Sequence, residues 1–522
     1  MHATAAVTET RNPRRWLILA VISLAQLVVL VDNTVLNLAI PKLTEDLGAT
    51  TADIQWMINA YALVQSGLLL TAGSFSDRYG RKRSLLAGLL LFGVGSLAAA
   101  FSLSSGQLIA ARAGMGIGGA LLTTTTLAVV MQVFDEKELP KAIGLWSAVS
   151  SFGYASGPLI GGALLAHFWW GSIFLINIPV ALLGCVAVAK LVPESKDPQG
   201  ARPDLVGAAL STIGMAGIVY AIISGPEHGW ASATVLVAAG IGVAALAAFV
   251  RWELHVPHPM LDMGLFRNRR FNGAISGGLL VAFGMGGSVF LLTQQLQLVL
   301  GYDPLEAGLR TAPLALVVVA LNVAGLGAKL LEKLGIAMTI AVGMTLNAVG
   351  LAMVAVLGTP DRGFGGMLAC LLVMGGGIAP AMPAMANAIM TSIPAEKAGA
   401  GAAVQGTVNQ FGSGLGVAIL GAVLNSRFAA LLPIGLGAGA AGSLHEALLQ
   451  ARTPALQAQV RDAFAGGVRA SELIGALAVV LGGMLAGMLL RRAARSEAHQ
   501  AAWARPTIRL EAAPAPFTVD LR

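Results

Sequence analysis

Runs of about 20 mostly apolar residues alternate along the chain with short polar segments, and that length is what a helix needs to cross the hydrocarbon of a bilayer. Such runs begin near Trp16, Ile54, Ser84, Gln107, Lys141 and Trp169, continue with two over 205–224 and 233–250, and end with six beginning near Phe271, Pro304, Ile336, Gly363, Gly399 and Ala470. The pattern predicts an all-α polytopic membrane protein of fourteen spans. It divides into a short amino-terminal segment (1–15), a six-helix bundle (16–192), an inserted pair (205–250) and a second six-helix bundle (271–491). A loop on the far side, 425–469, carries an amphipathic stretch from Ser443 to Phe464, and the Ala-, Pro- and Arg-rich tail 492–522 is expected to be disordered. The loop Gly73 to Arg83 after the second run has a degenerate counterpart, Gly325 to Gly335, after the tenth, as two pseudo-symmetric halves would give.

Composition agrees with this reading. The 522 residues are 56% hydrophobic and 11% charged, with a mean hydropathy of +0.76, whereas a soluble domain carries about a quarter charged residues. The net charge of +7 does not point to nucleic acid, because most of the 33 Lys and Arg residues sit at the termini and in the loops after even-numbered runs. By the positive-inside rule both termini are expected in the cytoplasm and the protein in the inner membrane. Arg11, Arg14 and Arg15 imitate the start of a signal peptide, but the apolar run passes Asp32 to Ile40 without a small-residue cleavage site. Cys185 and Cys370 lie in separate apolar runs with no ligand-spaced partner, so neither a disulfide nor a metal site is expected. Gly114 to Gly119 mimics a dinucleotide loop but follows no strand, and no phosphate-binding loop with a terminal Lys-Ser/Thr is present. No constellation of catalytic side chains supports an enzyme.

Inside the runs, Asp32 lies about six residues from the outer end of the first, and Arg112 about five from the outer end of the fourth. At 1.5 Å per residue both sit roughly 8–9 Å deep. An ionisable residue in a span is a functional hypothesis by default. Burial favours the neutral form of a carboxyl group and a guanidinium the charged form, which leaves two protonation states of similar energy; a static buried ion pair is the alternative. Apart from Asp32, no acid is read as lying well inside a run. Polar residues also recur at helical spacing: Gln26, Asn33 and Asn37; Gln55, Asn59 and Ser66; Gly119, Thr123 and Thr126 with Arg112; Gln405 and Asn409; and a cluster of Gln294, Gln295 and Gln297. These stripes, with Trp56 and Tyr61, either line a central cavity or hydrogen-bond between helices.

The segment Gly73-Ser-Phe-Ser-Asp77-Arg78-Tyr-Gly80-Arg81-Lys82-Arg83 resembles the signature loop of the major facilitator superfamily. Gly80 can turn sharply, Gly73 can let two helices approach, and Asp77 can pair with an Arg or a helix end. Gly153-Tyr-Ala-Ser-Gly157-Pro158-Leu-Ile-Gly161-Gly162 resembles the motif that marks exporters within that superfamily, its glycines permitting close contact and Pro158 a bend. Val31-Asp32-Asn-Thr-Val-Leu-Asn37, Gln55-Trp56-Met-Ile-Asn59-Ala-Tyr61, Trp170 to Pro179 and Gln297-Leu-Val-Leu-Gly301 extend the resemblance to the fourteen-span drug:proton antiporters, especially the branch exporting quaternary ammonium compounds and puromycin-like antibiotics.

The resemblance implies two six-helix bundles with two inserted helices, a cytoplasmic gating loop of Gly73, Asp77, Arg78, Gly80, Arg81 and Lys82, and a proton-coupling pair of Asp32 and Arg112. It implies a substrate cavity drawn from Asn33, Asn37, Trp56, Asn59, Tyr61, Thr123, Gln295, Gln405 and Asn409. The protein would then be a monomer in the lipid bilayer that exports amphipathic drugs, antibiotics or secondary metabolites, with protons as the coupling ion and no cofactor. Two positions depart from the branch: Asn59 stands where it has a carboxylate and Thr124 where it has a proline. A cavity poor in acids suits neutral or singly charged amphiphiles better than polycations. Export of a lipid or an endogenous metabolite, nutrient uptake, which the exporter motif opposes, and a non-transporting sensor on the same fold are the alternatives.

Overall fold

The computed structural model describes residues 13–135, 138–196, 202–257, 259–359, 363–393 and 398–503. Residues 1–12 and 504–522, which hold most of the expected amino-terminal segment and much of the expected tail, lie outside them. The described chain is helical: α1 (Arg15–Val35), α2 (Ile40–Leu47), α3 (Thr51–Tyr79), α4 (Arg81–Ala100), α5 (Ser105–Val133), α6 (Leu139–His167), α7 (Ser172–Leu175) and α8 (Asn177–Leu191) form the first part. The hairpin α9 (Leu205–His228) and α10 (Ala233–Glu253) follows, then α11 (Arg269–Gln294), α12 (Pro304–Val323), α13 (Leu326–Leu357), α14 (Gly363–Met390), α15 (Ala398–Leu431), α16 (Leu444–Gln450) and α17 (Pro454–Trp503).

Twelve of these helices, or helices in tandem, are long and apolar enough to cross a membrane. Two more, α3 and α6, have 29 residues each and a length of about 43 Å. They are not among the twelve. In α3 the reason is visible: Gln55, Asn59, Gln65, Ser66 and Thr71 are all buried in the protein and dilute its apolar character.

Local chemistry sets the ends of these elements. Thr50 and Asp53 form a reciprocal capping box at the start of α3. Gly80, at φ +118°, ends it in a conformation that a side chain would strain. The second half repeats the device: Gly335, at φ +73° and ψ 168°, interrupts α13 and separates the segment beginning at Leu326 from the span proper. This matches the weak similarity between the loops Gly73 to Arg83 and Gly325 to Gly335.

The last helix departs from expectation. It begins at Pro454 rather than near Ala470, because Thr453 caps it through a hydrogen bond from Leu456 N (3.2 Å) and proline suits a first helical position. α15 likewise runs on to Leu431. The expected loop 425–469 therefore shrinks to 432–453, and the amphipathic stretch divides between the short α16 and the first turns of α17. There Val460, Ala463 and Phe464 are buried, and Phe464 packs edge-on against Phe428 of α15 at 5.4 Å.

In the first half α1 packs on α5, α6 and α8, and α3 on α5; in the second α11 packs on α14, α15 and α17, and α13 on α14 and α17. The halves meet along two seams, α3 with α15 and α6 with α12. The α9–α10 hairpin lies against the first seam, with α9 on both α3 and α15 and α10 on α9. Leu236, Val237, Ile241 and Val243 of α10 are exposed, an apolar surface that suits lipid rather than water.

Candidate functional site

Asp32 on α1 and Arg112 on α5 form an ion pair, and both are almost wholly buried, at 3% and 1% exposure. Arg112 also donates from Nε to the Met57 carbonyl (3.1 Å), and its guanidinium lies over the Tyr61 ring, 4.4 Å from the centroid. Asn177, the first residue of α8, donates to Asp32 Oδ1 at 3.2 Å and to Ser96 Oγ at 3.1 Å. Five helices thus converge on one carboxylate–guanidinium pair. Removing either charge would leave the other buried and uncompensated.

Sequence reasoning placed Asp32 and Arg112 at one depth, and the structure brings them into contact. It did not single out Asn177 or Ser96. The available signal was Asn177 itself, an amide in an apolar run two residues before Pro179.

Between the halves lies a cavity of ≈ 350 Å³. From the first half Gln26, Asn33, Asn37, Thr123 and Arg112 reach it; from the second Gln405, Asn409, Gln410 and Ser413 do so. Val29, Leu30, Leu69, Met285, Met382, Met385 and Ile389 supply much of the remaining wall. Among the described residues, the lining includes no Asp or Glu, and Arg112 brings the one positive charge. Asp32 stands behind Arg112, so the pair is coupled to the cavity through its guanidinium.

Of the expected cavity residues, Asn33, Asn37, Thr123, Gln405 and Asn409 line this space, and four sit elsewhere. Trp56 stacks against Tyr220 of α9 at 5.8 Å. Asn59 donates to the Gln55 carbonyl (2.9 Å) and faces Gly414 across the α3–α15 seam. Tyr61 supports Arg112. Gln295 belongs to a π-helical turn, Gln295–Val299, and donates to the Gly358 carbonyl. Counting residues along a helix gives a face but not the neighbour that the face meets.

The exporter-like motif on α6 has two working sides. Cβ atoms added at Gly153, Gly157 and Gly161 would meet α1 at Leu30 (3.0 Å), Thr34 Cβ (3.0 Å) and Val35 (2.9 Å). One added at Gly162 would lie 2.6 Å from the Pro304 carbonyl oxygen and 2.9 Å from Leu305 Cα on α12, and the Pro158 carbonyl packs against Gly308 of the same helix. The helix that carries Asp32 is therefore connected, through small residues, to a contact between the halves. This contact, with that of Gln55 and Gly421, closes the end of the bundle opposite the basic loop Gly73 to Arg83.

At the basic end, Asp77 accepts from Arg81 at 3.0 and 2.9 Å, and Arg81 also donates to the Ala128 carbonyl at the end of α5 (3.3 Å). Lys82 donates from Nζ to the Ala189 carbonyl (2.6 Å) and from its backbone to Glu194 (3.2 Å). The loop is tied to its own half through α5 and the end of α8. One expectation needs correction: Gly73 mediates no close helix approach, since a Cβ there would meet nothing within 4 Å. The reading that Asp32 is the one acid well inside a run is corrected too, because Glu472 is fully buried in α17.

The sequence profile of the Major Facilitator Superfamily matches residues 22–417. The multidrug efflux pump LfrA of Mycolicibacterium smegmatis is 35% identical over 500 residues, covering 93% of this chain and 98% of its own. The methyl viologen resistance protein SmvA of Salmonella typhimurium is 38% identical over 435 residues, covering 81% and 86%. The puromycin resistance protein of Streptomyces alboniger is 36% identical over 432 residues, covering 82% and 85%. Among solved structures, a bacterial homologue of the human lysosomal transporter Spinster, inward-facing and unoccupied, superposes with a TM-score of 0.66 at 16% identity, over 93% of this chain and 99% of that one.

Proposed function

This chain belongs to the major facilitator superfamily, and from that premise we propose that it is a fourteen-span, proton-coupled exporter of amphipathic small molecules that works by alternating access. The observation that carries the reading is the buried Asp32–Arg112 pair, whose guanidinium forms part of the wall of a cavity shared by both halves. Protonation of Asp32 removes its charge and frees the Arg112 guanidinium from its carboxylate, leaving the Met57 carbonyl and the Tyr61 ring as neighbours. The released charge alters both the cavity wall and the packing of α1 against α6. Through Gly153, Gly157, Gly161 and Gly162, that change reaches the contact with α12.

The two long helices α3 and α6, added to the twelve apolar ones, give fourteen spans, with α9 and α10 as the inserted pair. The basic loop lies on the cytoplasmic side with both termini, and the cavity shown is the inward-facing one. The open space at Gly73 is then room for a neighbouring helix when the cytoplasmic end closes. A largely apolar wall with several amides and no acid suits flat or flexible amphiphiles, and the names of the relatives point to drugs and antibiotics. A membrane potential supplies about 2.3 kcal/mol per charge per 100 mV and a pH difference about 1.4 kcal/mol per unit, enough to bias a marginal two-state switch.

A susceptibility panel of biguanides, methyl viologen, dyes and antibiotics, run in a pump-deficient host with and without the gene, tests the export reading. Resistance to at least one amphipathic compound, lost when the proton gradient is dissipated, is the expected result. No shift for any compound would remove it.

A further inference from the structure

Glu472 is a fully buried carboxyl group in the second half, and neither of its oxygens has a hydrogen-bond partner. It stands eighteen residues into α17: its neighbour Ser471 donates to the Leu420 carbonyl of α15 (2.6 Å), and Gly475, one turn on, packs on Leu351 of α13. Arg469, one turn earlier on the same helix, is the cation within electrostatic reach, but its side chain is exposed and makes no ion pair with Glu472. Across the packing, Cys370 of α14 is the titratable group within reach. Among the described residues, no charged side chain of α11, α13, α15 or α16 pairs with Glu472.

The contrast with the first half is informative. Arg112 stands seven residues into α5, and Cys370 stands seven residues into α14, the helix with the same rank in its half. Where the first half carries a guanidinium paired with its buried acid, the second carries at the same rank a thiol bonded to the Gly366 carbonyl (3.1 Å), so Glu472 meets no cation there. An ionised carboxylate with neither cation nor donor in an apolar interior costs several kcal/mol or more, whereas a carboxylic acid is tolerated there. The π-helical turn packed on α17 offers a future partner, because Gln297 is buried with both amide atoms unpaired.

On the premise that the chain is a proton-coupled exporter, we propose that Glu472 is a second proton-binding site, one in each half, and that it holds its proton in the conformation described while Asp32 is ionised. Rearrangement of α17 against the Gln295–Val299 turn then gives Glu472 donors or water and releases the proton. The two sites occupy opposite protonation states at one point of the cycle, so each turnover exchanges more than one proton.

Two measurements on the full-length protein test this. Dicyclohexylcarbodiimide reacts with protonated carboxyl groups in apolar surroundings. Peptide mass spectrometry of labelled protein in nanodiscs should find the adduct on Glu472 and not on Asp32, with Glu472→Gln abolishing it. Label on Asp32 with none on Glu472 would overturn the proposal. In proteoliposomes at zero membrane potential, each proton exchanged supports about tenfold accumulation of the singly charged amphipathic dye ethidium per pH unit. Glu472→Gln, which replaces a neutral acid by a neutral amide of similar size, should lower the accumulation ratio about tenfold while leaving downhill uptake intact; an unchanged ratio also overturns the proposal. A wild type that moves no ethidium tells against the transport reading alone, and the labelling result still decides the state of Glu472.

Discussion

Asp32 and Arg112 are a structural commitment, and in the proposed mechanism the same pair is the switch. Their attraction compensates two desolvation costs at once, so losing one partner is worse than losing both. Arg112→Leu is expected to destabilise the protein by about 3–5 kcal/mol, read as a lower melting temperature in detergent, and the double variant with Asp32→Asn should recover most of the loss. Asn177→Ala removes one donor from Asp32 and should cost about 1–3 kcal/mol, with a shift of the pH profile of transport that a purely structural amide would not produce. Charges inside apolar runs are conspicuous, which is why this pair was legible from the chain alone. The amide and hydroxyl around it were not, because Asn177, Ser96 and the Met57 carbonyl come from elements whose packing is decided only in three dimensions. Glu472 escaped for another reason: with the last span read as starting near Ala470, it fell at a supposed membrane edge, whereas α17 begins at Pro454.

At the scale of elements, α6 joins the helix that carries Asp32 to the contact between halves. Gly162 is its most constrained position, since a side chain there collides with the backbone of Pro304 and Leu305. Gly162→Val is expected to open that end and shift the population toward the opposite orientation of the cavity. In a background with Cys185 and Cys370 replaced by Ala, a cysteine at Asn37 should then react about tenfold faster with a membrane-impermeant maleimide added from that side; unchanged labelling would disconnect the motif from the switch. The glycine spacing announced close packing, but it did not tell that three glycines face α1 and one faces α12. The same limit produced the misreading of Gly73, whose neighbourhood is open in this orientation. The run beginning near Ile54 announced α3, but not that its buried amides serve the seam with α15.

For the whole molecule, the two halves, the seams and the α9–α10 hairpin follow from burying amphipathic faces while leaving an apolar surface of α10 exposed. The distribution of Lys and Arg predicts that both termini share the cytoplasmic face; fluorescent-protein fusions at either end should both mature, and a dark carboxy-terminal fusion would break the count of fourteen. The order of the apolar helices could be read from the chain, whereas the wall of the cavity, built from residues nearly 400 positions apart such as Gln26 and Gln405, could not. The central claim is that Asp32 couples proton entry to export. It is tested most directly by accumulation of the singly charged amphipathic dye ethidium in proteoliposomes under an imposed pH gradient at zero membrane potential. Wild type should concentrate the compound by at least about tenfold per pH unit, and Asp32→Asn should equilibrate it without concentrating it. Accumulation by Asp32→Asn equal to that of the wild type would contradict the account.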